Sequence, residues 1–101
     1  MKKIINGKKY DTDTAKLMGT YTNGRSYSDF EFFMSELYKK KTGEFFLYQE
    51  GGPMSIVAVH HGNNTTGSER IIPISENEAK EWVEKYMDAD EYENIFGEVE
   101  E

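Results

Sequence analysis

A chain of 101 residues, 37% hydrophobic and 14% aromatic, has material for one core of ordinary size and not for two. Lacking cysteine, it can form no disulfide, no thiolate nucleophile and no Cys-based metal site, and no run approaches the roughly 20 apolar residues of a membrane-spanning helix. The formal charge of −7 is concentrated at one end: residues 1–75 carry 10 Lys/Arg against 8 Asp/Glu, net +2, whereas residues 76–101 carry 2 Lys against 11 Asp/Glu, net −9.

The start, Met1-Lys2-Lys3-Ile4-Ile5-Asn6-Gly7, lacks the apolar stretch of a secretion signal, which leads to the expectation of a cytoplasmic protein. It also places Asn-Gly between two short extended runs, and that dipeptide tolerates the positive φ angles of a type I′ turn, so a β-hairpin is predicted over 3–10. Asp11 to Ala15 offers polar side chains to local backbone groups, Lys16 to Tyr21 is short and ambiguous, and Thr22 to Ser26 reads as a loop.

From Asp29 onward Phe30, Phe32 and Met34 alternate with Glu31 and Ser35, while Phe33 and Leu37 load the second face, which predicts a strand with little free surface. Lys39-Lys40-Lys41-Thr42-Gly43 supplies a polar turn, and Glu44 to Tyr48 returns as the partner strand, so this second hairpin is expected at the centre of the sheet. Gly51-Gly52-Pro53 breaks the chain. Residues 54–61 fit a strand or one to two helical turns equally. Gly62 to Ser68 is a loop on composition, and Arg70 to Ile74 is a short strand whose Pro73 favours an edge.

Ser75-Glu76-Asn77-Glu78 has the form of a capping box, so a helix is expected to begin there. Ala79, Trp82, Val83 and Tyr86 follow at i, i+3, i+4 and i+7 and place one apolar stripe on the sheet. Asp88 to Glu91 repeats the acidic cap, Tyr92 and Phe96 form a further stripe, and Gly97 can end it. The expected fold is α+β, one domain over 1–101: a small antiparallel sheet of two hairpins and an edge strand, packed by helices of the acidic segment 76–101.

Little in this sequence has the form of catalytic machinery. His60 and His61 are adjacent, so on an extended strand they point to opposite faces and cannot readily share a metal, although Glu69 is close in sequence. No serine sits in a nucleophile elbow, and Gly51-Gly52-Pro53 lacks the Lys-Ser/Thr ending of a phosphate loop. No enzyme, cofactor or metal is expected. One alternative is an RNA-binding module built on Lys39, Lys40 and Lys41 with the aromatic hairpin, since some RNA-binding sheets stack bases on exposed rings; the aromatic-plus-glycine strand motif of such sheets is absent.

The acidic end offers a different chemistry. Carboxylates three and four residues apart on a helix lie about 5–6 Å from one another at Cβ, a spacing that imitates consecutive phosphates and suits an Arg/Lys groove built for nucleic acid. Such a surface repels DNA itself and matches a basic protein. The same face also serves as a solvated surface that keeps the chain soluble, and both readings stand on the sequence.

Three stretches together carry a resemblance: Ile5 to Ala15, Leu37-Tyr38 with Lys41 to Tyr48 and Glu50 to Ser55, and Ile71 to Ser75 with Glu78 to Trp82. The chain resembles a widespread family of small proteins carried by phages and other mobile elements, and within it looks like a type II-A anti-CRISPR protein, an inhibitor of Cas9 thought to interfere with guide-RNA loading. The shared residues are those of turns and core, so they speak for the fold more than for the function. What the resemblance implies is a bacterial host cell and a large basic nucleic-acid-binding partner, Cas9, held by an acidic body. Joined to the charge asymmetry, it places the partner contacts on Glu81, Glu84, Asp88, Asp90, Glu91 and Glu93, with Tyr92 as an aromatic anchor.

Overall fold

The computed structural model describes residues 1–101. Asn6 and Gly7 take φ values of 51° and 77°, the pair a type I′ turn needs, and β1 (Lys2–Ile5) and β2 (Lys8–Asp11) pair antiparallel across it. Next come β3 (Lys16–Thr22), β4 (Phe33–Lys39) and β5 (Phe45–Gly51), a short hairpin of β6 (Val59–His61) and β7 (Asn64–Thr66), and β8 (Ser68–Ile74). Two helices close the chain, α1 (Glu76–Tyr86) and α2 (Ala89–Phe96). The main sheet has the order β3-β4-β5-β8, every pair antiparallel, so the hairpin on either side of Lys40–Gly43 forms its centre as expected.

Alternation along β4 and β5 gives this sheet two covered faces. Leu37, Phe45 and Leu47 point to one side and pack with Ala79, Trp82 and Val83 of α1, joined at the margin by Tyr92, Ile95 and Phe96 of α2. Tyr38 and Phe46 point to the other side and, with Ile71, pack against Tyr10 of the β1-β2 ribbon. The result is a layered α+β domain: ribbon, sheet, helices. The ribbon therefore belongs to a sheet of its own and does not extend the main one. It is tied down by Glu44, whose carboxylate accepts from Lys8 Nζ at 2.9 Å and Lys40 Nζ at 3.3 Å, while the Lys40 ammonium sits 4.3 Å from the Tyr10 ring centroid.

Both edges of the main sheet are irregular. β3 contains a register shift between Leu17 and Gly19, a bulge that places Met18 toward the helical core, and β8, the opposite edge strand, carries Pro73, which has no backbone N–H to offer.

Four segments depart from the sequence expectation, each for a local reason. The strand expected from Asp29 begins at Phe33, because Asp29 and Asn23 capture the backbone: Asp29 Oδ1 accepts from Glu31 N at 2.7 Å, Asn23 Nδ2 donates to Glu31 O at 2.7 Å, and Asn23 Oδ1 accepts from Phe33 N at 3.2 Å. Phe30 is thereby turned outward while Phe32 is buried, so the two share no face with Met34. The ambiguous 16–21 run is a full strand supported by pairing to β4. Residues 54–58 are neither strand nor helix but two consecutive turns, with Ser55 N on Gly52 O and Ala58 N on Ser55 O. Within 62–68, whose composition predicts a loop, Gly62 at φ 59° turns the chain back so that β7 pairs with β6.

Candidate partner-binding surface

The acidic surface is built by two caps and one apolar stripe. Ser75 Oγ accepts from Glu78 N at 3.1 Å and Glu78 Oε1 accepts from Ser75 N at 3.0 Å, so the capping box starts α1 where the sequence places it. Ala79, Trp82 and Val83 are buried and Tyr86 stacks on Tyr21 of β3 at 4.2 Å between centroids, which fixes the helix rotation and turns Glu81 and Glu84 to solvent. Asp88 caps α2 by accepting from Glu91 N at 2.8 Å, and Gly97 at φ 97° ends it.

The seven residues named from the sequence do not play one role. Glu84, Asp88, Tyr92 and Glu93 come together with Met87, Ala89 and Val99 around an open cleft of about 510 Å³ at the helix junction. Glu81, Asp90 and Glu91 are exposed outside that cleft. Two of the carboxylates have structural work: Asp88 as the cap, and Glu93, whose Oε2 accepts from Val99 N at 3.1 Å and holds the chain end over the cleft. Tyr92 is half-buried; it packs into the helix-side core with its ring 5.0 Å from that of Phe96, so it presents only part of its surface to the cleft. Glu81, Glu84, Asp90 and Glu91 accept no side-chain or cap hydrogen bond beyond backbone geometry and stand free.

Their charge is not neutralised within the chain. All four ion pairs of the molecule lie among residues 8–44. The two lysines of the acidic segment are placed near aromatic rings, Lys80 Nζ 5.7 Å from the centroid of Phe96 and Lys85 Nζ 5.2 Å from that of Tyr86.

The basic turn is arranged differently from what an RNA platform needs. Lys39 lies 5.5 Å from the Phe45 centroid, Lys40 is held by Glu44 and Tyr10, and only Lys41 is fully exposed. Tyr38, Phe45 and Phe46 are buried between the layers, with Tyr38 and Phe46 stacked on each other at 5.2 Å, which leaves none of these three rings free to stack a base. His60 Nδ1 meets Thr65 Oγ1 at 3.1 Å across the short hairpin, and no group of three His, Asp or Glu side chains is placed to hold a metal ion. No helix is long and apolar enough to cross a membrane.

Two features escaped the sequence reading. Glu50 and Glu69 sit directly opposite each other on β5 and β8, and the single hydroxyl of Tyr48 lies 2.8 Å from Glu50 Oε2 and 2.6 Å from Glu69 Oε2. Burial and these two carboxylates push the Tyr48 phenol far above its ordinary range. Only the cross-strand register brings the pair together, and register is not written in either strand alone. The second is a set of exposed apolar side chains at the same end of the sheet, Tyr27, Phe30, Met54 and Ile56, whose exposure follows from the turns described above. Compared with known family profiles, curated proteins and solved structures, the chain finds no match.

Proposed function

We propose that this protein is an inhibitor that works by occupancy: its acidic helices engage the basic nucleic-acid channel of a large effector and keep guide RNA or DNA out. Cas9 is the partner proposed first, on the resemblance to type II-A anti-CRISPR proteins. The observation that carries the reading is the unneutralised carboxylate surface of 76–101, with 11 acidic residues against 2 lysines, no ion pair, and both lysines set near aromatic rings. Folded this way, the segment offers a rigid array of charges whose partner must lie outside the chain, and a groove lined with Arg and Lys supplies it.

Four carboxylates have no role in a cap or in holding the chain end, which makes the test clean. The combined variant Glu81→Lys, Glu84→Lys, Asp90→Lys and Glu91→Lys is expected to keep its thermal midpoint and circular dichroism while losing affinity for guide-free Cas9 by about two orders of magnitude or more. Co-purification with Cas9, with and without guide RNA, reads the competition directly: complex is expected with the guide-free protein and much less with the loaded one. Unchanged Cas9 inhibition by a folded quadruple variant overturns the proposal.

A further inference from the structure

Aromatic residues aside, Ser35 and Gln49 are the only polar side chains buried in this protein, 1% and 8% exposed. Register places Ser35 opposite Gln49 and Gln49 opposite Arg70, so the three form one row across β4, β5 and β8 on the face that carries Leu37 and Leu47. The row lies in a seam between two covers. Two residues to one side Leu47 packs under α1, and two residues to the other a Cβ on Gly51 would run into Ser55 and Val57 of the 54–58 turns.

Each member of the row holds the next. Gln49 Nε2 donates to Ser35 Oγ at 3.4 Å, and Gln49 Oε1 accepts from Arg70 Nε at 2.8 Å. Burying a hydroxyl and an amide in a sheet is unfavourable unless they are bonded, and an apolar pair would fill the same place without that cost, so what the relay adds is a guanidinium fixed in place. Arg70 itself is half-buried on an edge strand, yet it enters none of the ion pairs and neither of its Nη nitrogens has an acceptor in the chain. A charge withdrawn this far from water ordinarily has a counter-ion. Arg25, the other arginine of the sequence, has two, Asp29 at 3.8 Å and Glu31 at 3.0 Å.

Anchored through Nε, the guanidinium keeps its two Nη groups as a fork that matches the two oxygens of a carboxylate, and the rotamer freedom a long side chain loses on binding is already lost in the free protein. We propose that Arg70 is a docking site for one carboxylate side chain of a partner protein, with Gln49 as its positioning residue. Two observations select this occupant. The chain carries −7 overall, with 11 acidic residues in 76–101, a field that repels a run of phosphates far more than it repels a single acidic side chain. The row also ends on an edge strand of a body whose smallest extent is 20 Å, a setting that receives a side chain delivered by a macromolecule and does not enclose a small molecule. The contact is opposite in sign to those of the acidic helices, so the inference stands whether or not those helices bind a nucleic-acid channel.

Arg70 can be read directly. The full-length, ¹⁵N-labelled protein has two arginines and so two Nε–Hε signals, of which that of the ion-paired Arg25 is the internal control. A blocked tripeptide with one glutamate between alanines is expected to shift the Arg70 signal saturably and to leave that of Arg25 in place, whereas the same peptide with glutamine shifts neither at equal ionic strength. Gln49→Leu removes the anchor on Nε and is expected to weaken the glutamate peptide about tenfold or more at the Arg70 signal, with the amide spectrum away from 35, 49 and 70 unchanged. Arg70→Lys keeps the charge without the fork and is expected to weaken it by a similar factor, about tenfold, read from the amides of residues 49 and 70. An unresponsive Arg70 signal, equal shifts with both peptides, undiminished binding in either folded variant, or methyl phosphate binding about tenfold more tightly than the glutamate peptide would each overturn the proposal.

Discussion

Glu44 shows how much one exposed side chain can connect. Its carboxylate is held down to about 2 from an ordinary 4.5, chiefly by the hydrogen bond from Lys8 and then by those from Thr42 and Lys40. Because the folded-state value is depressed, the stabilisation is present above the unfolded value and is lost as pH falls from about 4.5 toward about 2. Urea midpoints are therefore expected to drop over that window in the native protein and to drop less in Glu44→Gln, whose midpoint at neutral pH is already lower. Tyr38, buried beside Glu36, is displaced in the opposite sense, its phenol pushed up to about 12, so its contribution is full below about 10 and declines in alkali. Residue-scale legibility was uneven for a physical reason. Asn6-Gly7 and Ser75/Glu78 act through bonds to their own neighbourhood, so three or four letters suffice to read them. Phe30 looked like a core residue by alternation, and only the side chains of Asp29 and Asn23, competing for the backbone, turned it to solvent.

Among the elements, α1 and α2 were the most readable, since a cap and an apolar stripe define each independently of what it packs on. Replacing Ser75 with Ala removes an acceptor for an otherwise orphaned amide and is expected to cost about 1 kcal/mol. Asp88→Ala should cost a similar amount and add a second effect: with its cap gone α2 frays at the cleft, so a thermal scan and partner affinity are expected to fall together, whereas Ser75→Ala lowers only the former. The strands were harder. β3 has weak alternation and a bulge, and it is a strand because β4 offers it a paired edge. β7, made of Asn64, Thr65 and Thr66, has the composition of a loop and pairs only because Gly62 reverses the chain.

For the molecule as a whole, composition indicated one core but not its division into two. The sheet is covered by helices on one side and by the ribbon on the other, so the aromatic residues that suggested a nucleic-acid platform are spent on two thin interfaces. A flat body of 51 × 33 × 20 Å built this way has no deep interior. Removing Trp82 as Trp82→Ala is expected to cost about 3–5 kcal/mol, a large share of what a domain of this size has, with chemical denaturation as the measurement. The acidic segment is legible as a charge imbalance, yet which carboxylates are free and which hold caps or the chain end is decided only in the fold, because helix ends recruit whichever acid lies within reach.

The irregular margins of the sheet bear on how such a protein is used. Any crowded stock of sheet-containing chains is at risk of strand-to-strand polymerisation through its open edges. The bulge after Leu17 and the ring of Pro73 make both flanks poor templates for a newcomer. Pro73→Val repairs one flank, and fibrils or loss of yield on overproduction, with monomeric function intact, would be the expected sign.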